Sequence, residues 1–216
     1  GKIYQMKHFK LAGTIPALAL VVSAGAASAA SVTPDAIFGS GNANGSFTIN
    51  NGIPNAGIEI GLRGKLRFND SNLPENTFNY DGVKTYTFKA GTPPTGFGFA
   101  SGAPTTPVWN FEWSINTDAG GSTGLNLDDL TYQLKLDTDP TANALFNSPF
   151  DPINLPIADH AIGSNSTGNG AGASTDDGVG TDDATEYANL IANNNVAQNS
   201  WSYEFFNGSG GPTAGF

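Results

Sequence analysis

The chain has 216 residues, 9 basic against 19 acidic side chains for a formal net charge of −10, two histidines and no cysteine. Disulfides, thiolate chemistry and cysteine-held metals are thereby excluded, and the acidic balance argues against a phosphate-backbone partner, so no nucleic acid is expected. With 28 Gly and 13 Pro the composition suits turn-rich β structure and not a helical bundle.

Residues 1–5 precede Met6 and read as an upstream extension. From Met6 the sequence is MKHFKLAGTIPALALVVSAGAASAA: Lys7 and Lys10, an apolar run from Leu11 to Val22, then small residues ending in Ala27-Ser28-Ala29. This is the three-part layout of a secretory signal, so 6–29 are assigned as a signal peptide with cleavage before Ala30. The run is interrupted by Gly13, Thr14, Pro16, Ser23 and Gly25, unlike the about 20 consecutive apolar residues of a membrane span, and no span is expected in the mature chain. That chain keeps 6 basic and 19 acidic residues, net −13, which favours solubility and attracts cations. Export without cysteine fits a bacterial secreted or cell-surface protein held together by core burial.

Strand periodicity dominates the rest. Gly45–Asn50 is a short candidate. In 58–68, Ile58, Ile60, Leu62, Leu66 and Phe68 share one parity and Glu59, Arg63, Lys65 and Arg67 the other, the period of a half-buried strand, with Gly61 and Gly64 marking a bulge or close approach. Val83–Ala90 places Tyr86 and Phe88 on one face, and Gly96–Ala100 is a further short candidate. Val108–Asn116 sets Trp109, Phe111, Trp113 and Ile115 opposite Asn110, Glu112 and Ser114. Leu130–Asp137 and Trp201–Phe206 repeat the alternation. Turn clusters at 50–52, 81–82, 92–94 and 118–124 separate them. One polar face per strand predicts an antiparallel arrangement wet on one side, and the expected fold is all-β: a two-sheet antiparallel β-sandwich, Ig-like or jelly-roll-like, with long loops and one short surface helix over 182–193, where Ala184, Tyr187, Leu190 and Ile191 recur at helical spacing. Residues 30–207 form a single domain, 163–181 reads as a flexible Gly/Ser/Asn-rich loop, and the Gly-rich 208–216 as a truncation point.

Chemistry is sparse. His160 is the one histidine of the mature chain, which removes two-histidine zinc mechanisms, and the adjacent Asp159 would point to the opposite face of a strand; a structural role is expected. Glu59, Glu112 and Glu204 lie on polar parities, and a pair of carboxylates across a groove is what glycoside hydrolysis requires. Acidic clusters at 128–129, 137–139, 151, 176–177 and 182–183 supply the oxygen ligands calcium takes; Asp137 and Asp139, alternate residues leaving a strand end, are the first choice, followed by Asp128 and Asp129. Solvated turns of an acidic protein show the same pattern. Trp109, Trp113 and Trp201 fall on apolar parities and read as core, while Tyr80, Phe97 and Phe99 beside glycines are the more plausible ligand platform, with packing the stronger expectation for each.

Segments such as IFGSGNANGSFTINN, GIEIGLRGKLRFND, LPENTFNYDGVKTYTF, VWNFEWSINTD, GLNLDDLTY, ADHAIG and NNVAQNSWSYEFFN resemble secreted bacterial proteins of the PEP-CTERM, exosortase-sorted class, across most of Ser31–Asn207. The Pro-Glu-Pro sorting tail that defines the class does not occur in these 216 residues. The resemblance implies an exported protein linked to exopolysaccharide or biofilm matrix, without an assigned activity. The leading expectation is accordingly a non-enzymatic envelope or matrix protein, with extracellular polysaccharide as partner and no cofactor; a calcium-assisted glycan-binding module and a glycoside hydrolase are the alternatives.

Overall fold

The computed structural model describes residues 3–5, 29–50, 57–68, 74–89, 109–137, 146, 149, 151–154, 160–174 and 181–202. The strands are β1 (Ile3–Gln5), β2 (Ala29–Ala30), β3 (Phe47–Ile49), β4 (Glu59–Phe68), β5 (Pro74–Thr77), β6 (Thr87–Lys89), β7 (Trp109–Asn116), β8 (Ala161–Gly163), β9 (Ala173–Ser174) and β10 (Val196–Ser202), with helix α1 (Thr181–Asn193) between the last two. Eight of them make one antiparallel sheet in the order β2-β3-β4-β7-β10-β8-β9, with β5 also on β4; β1 and β6 pair separately. No helix among the described residues is long and apolar enough to cross a membrane.

The two long central strands are those with the clearest alternation, and their register explains how the faces divide. Ile60, Leu62 and Leu66 of β4 lie opposite Ile115, Trp113 and Trp109 of β7, while Ala197 and Trp201 of β10 lie opposite Ile115 and Phe111. These side chains make one apolar face. Trp201 stands edge-on to Phe111 and Trp113, with ring centroids 5.7 and 5.4 Å away, an arrangement that places positive ring edges against negative faces. The face packs against Tyr86 and Phe88, against Leu127, Tyr132, Leu134, Leu136 and Ile153, and against Tyr187 and Ile191 of α1. The α1 carbonyls near its C-terminal end are met by amide side chains: Asn126 donates to Ala192, Asn193 to Asn189 and Asn194 to Leu190.

The all-β expectation is met as one open antiparallel sheet with a single helix among the described residues. What covers the apolar face here is a layer of extended and turn segments with α1. The stretch 130–137, expected as a strand, keeps the alternation, with Tyr132, Leu134 and Leu136 buried, and pairs at isolated points such as Asp137 with Phe146. The last strand begins at Val196, five residues before the expected Trp201, because Gln198 and Ser200 occupy its second face. Of 163–181, the described part 163–174 is a chain of turns fastened to residues 36–42. Gly170 N–H donates to the Ala36 carbonyl and Gly172 N–H to that of Ile37, and Gly170 (φ +67°) lies so close to Ser40 that a Cβ would sit 2.4 Å from its Cα. The candidate strand at 96–100 lies outside the described residues.

Trp113 is 1% exposed at the centre of the aromatic cluster. Trp113→Ala should cost about 3–5 kcal/mol in urea unfolding; a loss below about 1 kcal/mol would place the ring outside the cooperative core.

Candidate functional site

The second face of the sheet carries the concentration of polar and charged groups. Register sets Glu59 opposite Asn116, Gly61 opposite Ser114, Arg63 opposite Glu112 and Lys65 opposite Asn110; on the other side of β7, Gln198 lies opposite Ser114 and Ser200 opposite Glu112. This face was expected to be wet. It is instead covered by residues 31–46, and all eight residues of β7 are buried.

The covering strap is recognised largely through its backbone. Thr33 N–H donates to Glu59 Oε1 at 2.6 Å, and Asn116 Nδ2 donates to the Thr33 carbonyl at 2.8 Å. Gln198 accepts from Ile37 N–H and donates to the Asp35 carbonyl, both at 2.7 Å. Arg63 Nη1 donates to the Ala43 and Gly45 carbonyls at 2.7 and 2.8 Å, and Lys65 donates to Asn42. Two apolar plugs add to this: Val32 packs with Phe47 and Ile49, and Ile37 with Ala161 and Val196. Gly61 makes room for the first plug, since a Cβ there would come within 2.6 Å of Val32 Cγ1.

Beneath the strap, Arg63 Nε meets Glu112 Oε2 at 2.5 Å with both side chains 0% exposed, and Lys65 Nζ stands 3.8 Å from the other carboxylate oxygen. The guanidinium also lies over the rings of Phe47 and Phe78, 4.1 and 4.4 Å from their centroids, a cation–π setting that only a flat, weakly hydrated cation fills well. Burial pulls the Arg63 pKa down and Glu112 pushes it back up. Burial raises the Glu59 carboxyl above its ordinary range, against the lowering effect of the bonds from Thr33. Two aspartates, the exposed Asp81 and the half-buried Asp118, behave oppositely. Asp81 accepts from the N–H groups of Val83, Lys84 and Thr85, and Asp118 from Thr123 N–H and Oγ1; these bonds hold both carboxyls below the ordinary value. The two turns therefore lose support as pH falls through the carboxylate range.

Few of the other sequence candidates are brought together. Glu59 and Glu112 are four residues apart in register, roughly 13 Å along a strand, beyond the 5–9.5 Å or so of glycosidase carboxylates, and Glu204 lies outside the described residues. Asp128 and Asp129 are exposed on a 3-10 turn, where Asp129 accepts from Asn126 N–H. With Asp151 their charges add to burial in raising the Tyr132 phenol. Asp151 itself accepts from the N–H groups of Tyr132, Ile153 and Asn154. Asp137 is half-buried, and Asp139, Phe97 and Phe99 lie outside the described residues. Among the described residues no group of three His, Asp or Glu side chains is arranged to hold a metal ion.

Tyr80, a candidate ligand platform for which packing was the stronger expectation, stacks on Tyr86 at 4.6 Å and donates to the Val83 carbonyl. His160 is 3% exposed. Its Nε2 lies 2.9 Å from Tyr187 Oη, which donates to the Ile153 carbonyl, so Nε2 carries the proton and donates. A pattern the sequence reading passed over, Gly120-Gly121-Ser122-Thr123-Gly124, has the Gly-x-Ser-x-Gly form of a nucleophile elbow. It follows β7 as an exposed turn with no helix behind it, and the histidine is committed to Tyr187. The sequence reading also missed the Arg63–Glu112 pair; the signal was opposite charges on the inward parity of two long neighbouring strands.

The arrangement thus binds a chain segment, and the segment is the protein's own. Comparison with protein families, curated proteins and solved structures finds no match.

Removing one partner of a dry ion pair strands the other, so Arg63→Met and Glu112→Leu should each cost about 3–5 kcal/mol, and the double variant less than either; in urea titrations, additive losses would instead mean that the two groups are not coupled. The Glu59 shift has the opposite sign to the usual carboxylate case. Its raised pKa favours the neutral form in the fold, so stability is greatest below the unfolded value and falls as pH rises toward the folded one. Glu59→Gln, which can still accept from Thr33 N–H, should melt at or above the parent temperature at pH 7, with the difference closing below about pH 4. A lower melting point at pH 7 would mean that the charge-assisted bonds from Thr33 outweigh burial.

Proposed function

We propose that the chain is an exported, non-catalytic structural protein of the bacterial envelope or extracellular matrix, associated with extracellular polysaccharide, as the PEP-CTERM resemblance implies. What supports this reading most is the use to which the sheet's charged side chains are put. Arg63 and Glu112 neutralise each other in a dry interior, and Glu59 fixes Thr33 of the strap. A group used in this way is bonded within the fold and kept from substrate, the reverse of what acid–base catalysis requires. In this reading the layer of Tyr132, Leu134 and Leu136 belongs to the second sheet of a β-sandwich.

The test is the fate of the full chain expressed in a bacterium. Export with an N-terminus at Ala30 and recovery from the envelope or matrix fraction is the expected result, and an uncleaved cytoplasmic product overturns it. A melting curve in chelator and then in millimolar calcium separates the alternative. The structural reading expects the same midpoint in both, whereas a rise of several degrees would mark ion binding to the native state and turn attention to Asp128, Asp129, Asp137 and Asp139 and to calcium-assisted glycan binding.

A further inference from the structure

We infer that the strap of residues 31–46 is a latch that opens on its own, over a sheet face that tolerates water while the rest of the sheet stays folded. The large apolar cluster lies wholly on the other face and contains no strap residue. The strap's own apolar contacts lie in two small clusters, Val32 with Phe47 and Ile49, and Ile37 and Phe38 with Ala161 and Val196, with Ala36 also buried. Between them, the strap is held by hydrogen bonds with the side chains of Glu59, Arg63, Lys65, Asn76, Asn116 and Gln198 and with the N–H groups of Gly170 and Gly172, and water can replace each one. Lifting the strap hydrates the Arg63–Glu112 pair and uncovers the two small plugs with Phe47, Ile49, Ala161 and Val196 beneath them, while the large cluster stays covered, so the desolvation cost of that pair is relieved at the moment the covering bonds are lost. Local opening well below the global unfolding free energy is the expected behaviour of a segment with few apolar contacts.

The joints are in place. Gly39, Gly41 and Gly45 have φ of +67°, +79° and +111°, and Ser46 has φ +56°, just before β3. The strap is also tied at its side by Asn169, which accepts from Gly41 N–H and donates to the Ala36 and Asn42 carbonyls; these bonds too are exchangeable with water. Open, the face would present Glu59, Arg63, Lys65, Glu112, Asn116 and Gln198 together on a flat sheet, and any ligand of that surface would have to compete with the strap.

Native-state hydrogen exchange on the full chain tests this. The reporters are the N–H groups of Thr33 and Ile37, bonded to Glu59 and Gln198, against those of β7 and β10. The expected result is strap exchange at least about 100-fold faster than that of the central strands and nearly independent of low denaturant. Equal rates with equal denaturant dependence overturn the inference. Ile37→Ser should raise strap exchange a further tenfold or so and leave the tryptophan emission of the core unchanged; global unfolding of this variant would show that the strap belongs to the cooperative core. Because a serine at a buried site can disturb its surroundings, chymotrypsin provides a second readout on the unaltered chain. First cleavage after Phe38 with core emission retained is expected, and cleavage there only with loss of that emission overturns it.

Discussion

The ion pair of Arg63 and Glu112 sets the terms for the whole second face of the sheet. A dry guanidinium and carboxylate each lose several kcal/mol of hydration, and their mutual attraction offsets this only when the remaining donors are also met. Here the strap meets Nη1 through the Ala43 and Gly45 carbonyls, and the Phe47 and Phe78 rings close over the guanidinium, while Nη2 and Glu112 Oε1 have no hydrogen-bond partner among the described residues. The strap must therefore reach Gly45 in one register. That register brings Thr33 to Glu59 and Ile37 to Gln198, so one electrostatic requirement at the sheet centre fixes the path of sixteen residues.

The apolar face obeys a different rule. Its stabilisation comes from area removed from water and from ring-edge contacts, neither of which dictates a unique covering element. This is why turns, extended segments and a helix can all contribute to it. His160 shows the limit of that tolerance: a polar ring among Trp113 and Tyr187 is acceptable because its Nε2 donates to a tyrosine oxygen whose own proton is committed to Ile153.

The alternation of β4 and β7 made the strands and the apolar core legible in the sequence, since a period of two leaves little choice of face. The same alternation concealed the strap. A polar parity ordinarily means water, and Ser31–Ser46, rich in Gly, Asn and Ser, carries no periodic signal of its own. Its binding relies on backbone groups that every sequence possesses, recognised by Gln198, Asn116 and Arg63 from up to 163 positions away. Residue type showed that these side chains could bond; only the register showed to what. Asp151 illustrates the converse, reading as a cation ligand by composition while its oxygens accept the N–H groups of its own turn.

The far end of the sheet suggests why so acidic a chain relies so little on charge. Asn116, at the end of β7, accepts from Asp118 N–H and Asn195 Nδ2 and donates to Asn165 Oδ1 as well as to the strap at Thr33. Asn165 in turn donates to the Asp118 carbonyl and accepts from Asn195. Three neutral amides thereby join the ends of β7, β8 and β10 to the strap. An amide both donates and accepts, so it can satisfy the backbone groups of a sheet end without a counter-ion and without the desolvation cost that the buried Arg63–Glu112 pair incurs. Bonds of this kind are little affected by salt or pH, unlike exposed ion pairs. The high Asn and Gly content is thus a structural economy: glycine lets the segments approach and asparagine ties them.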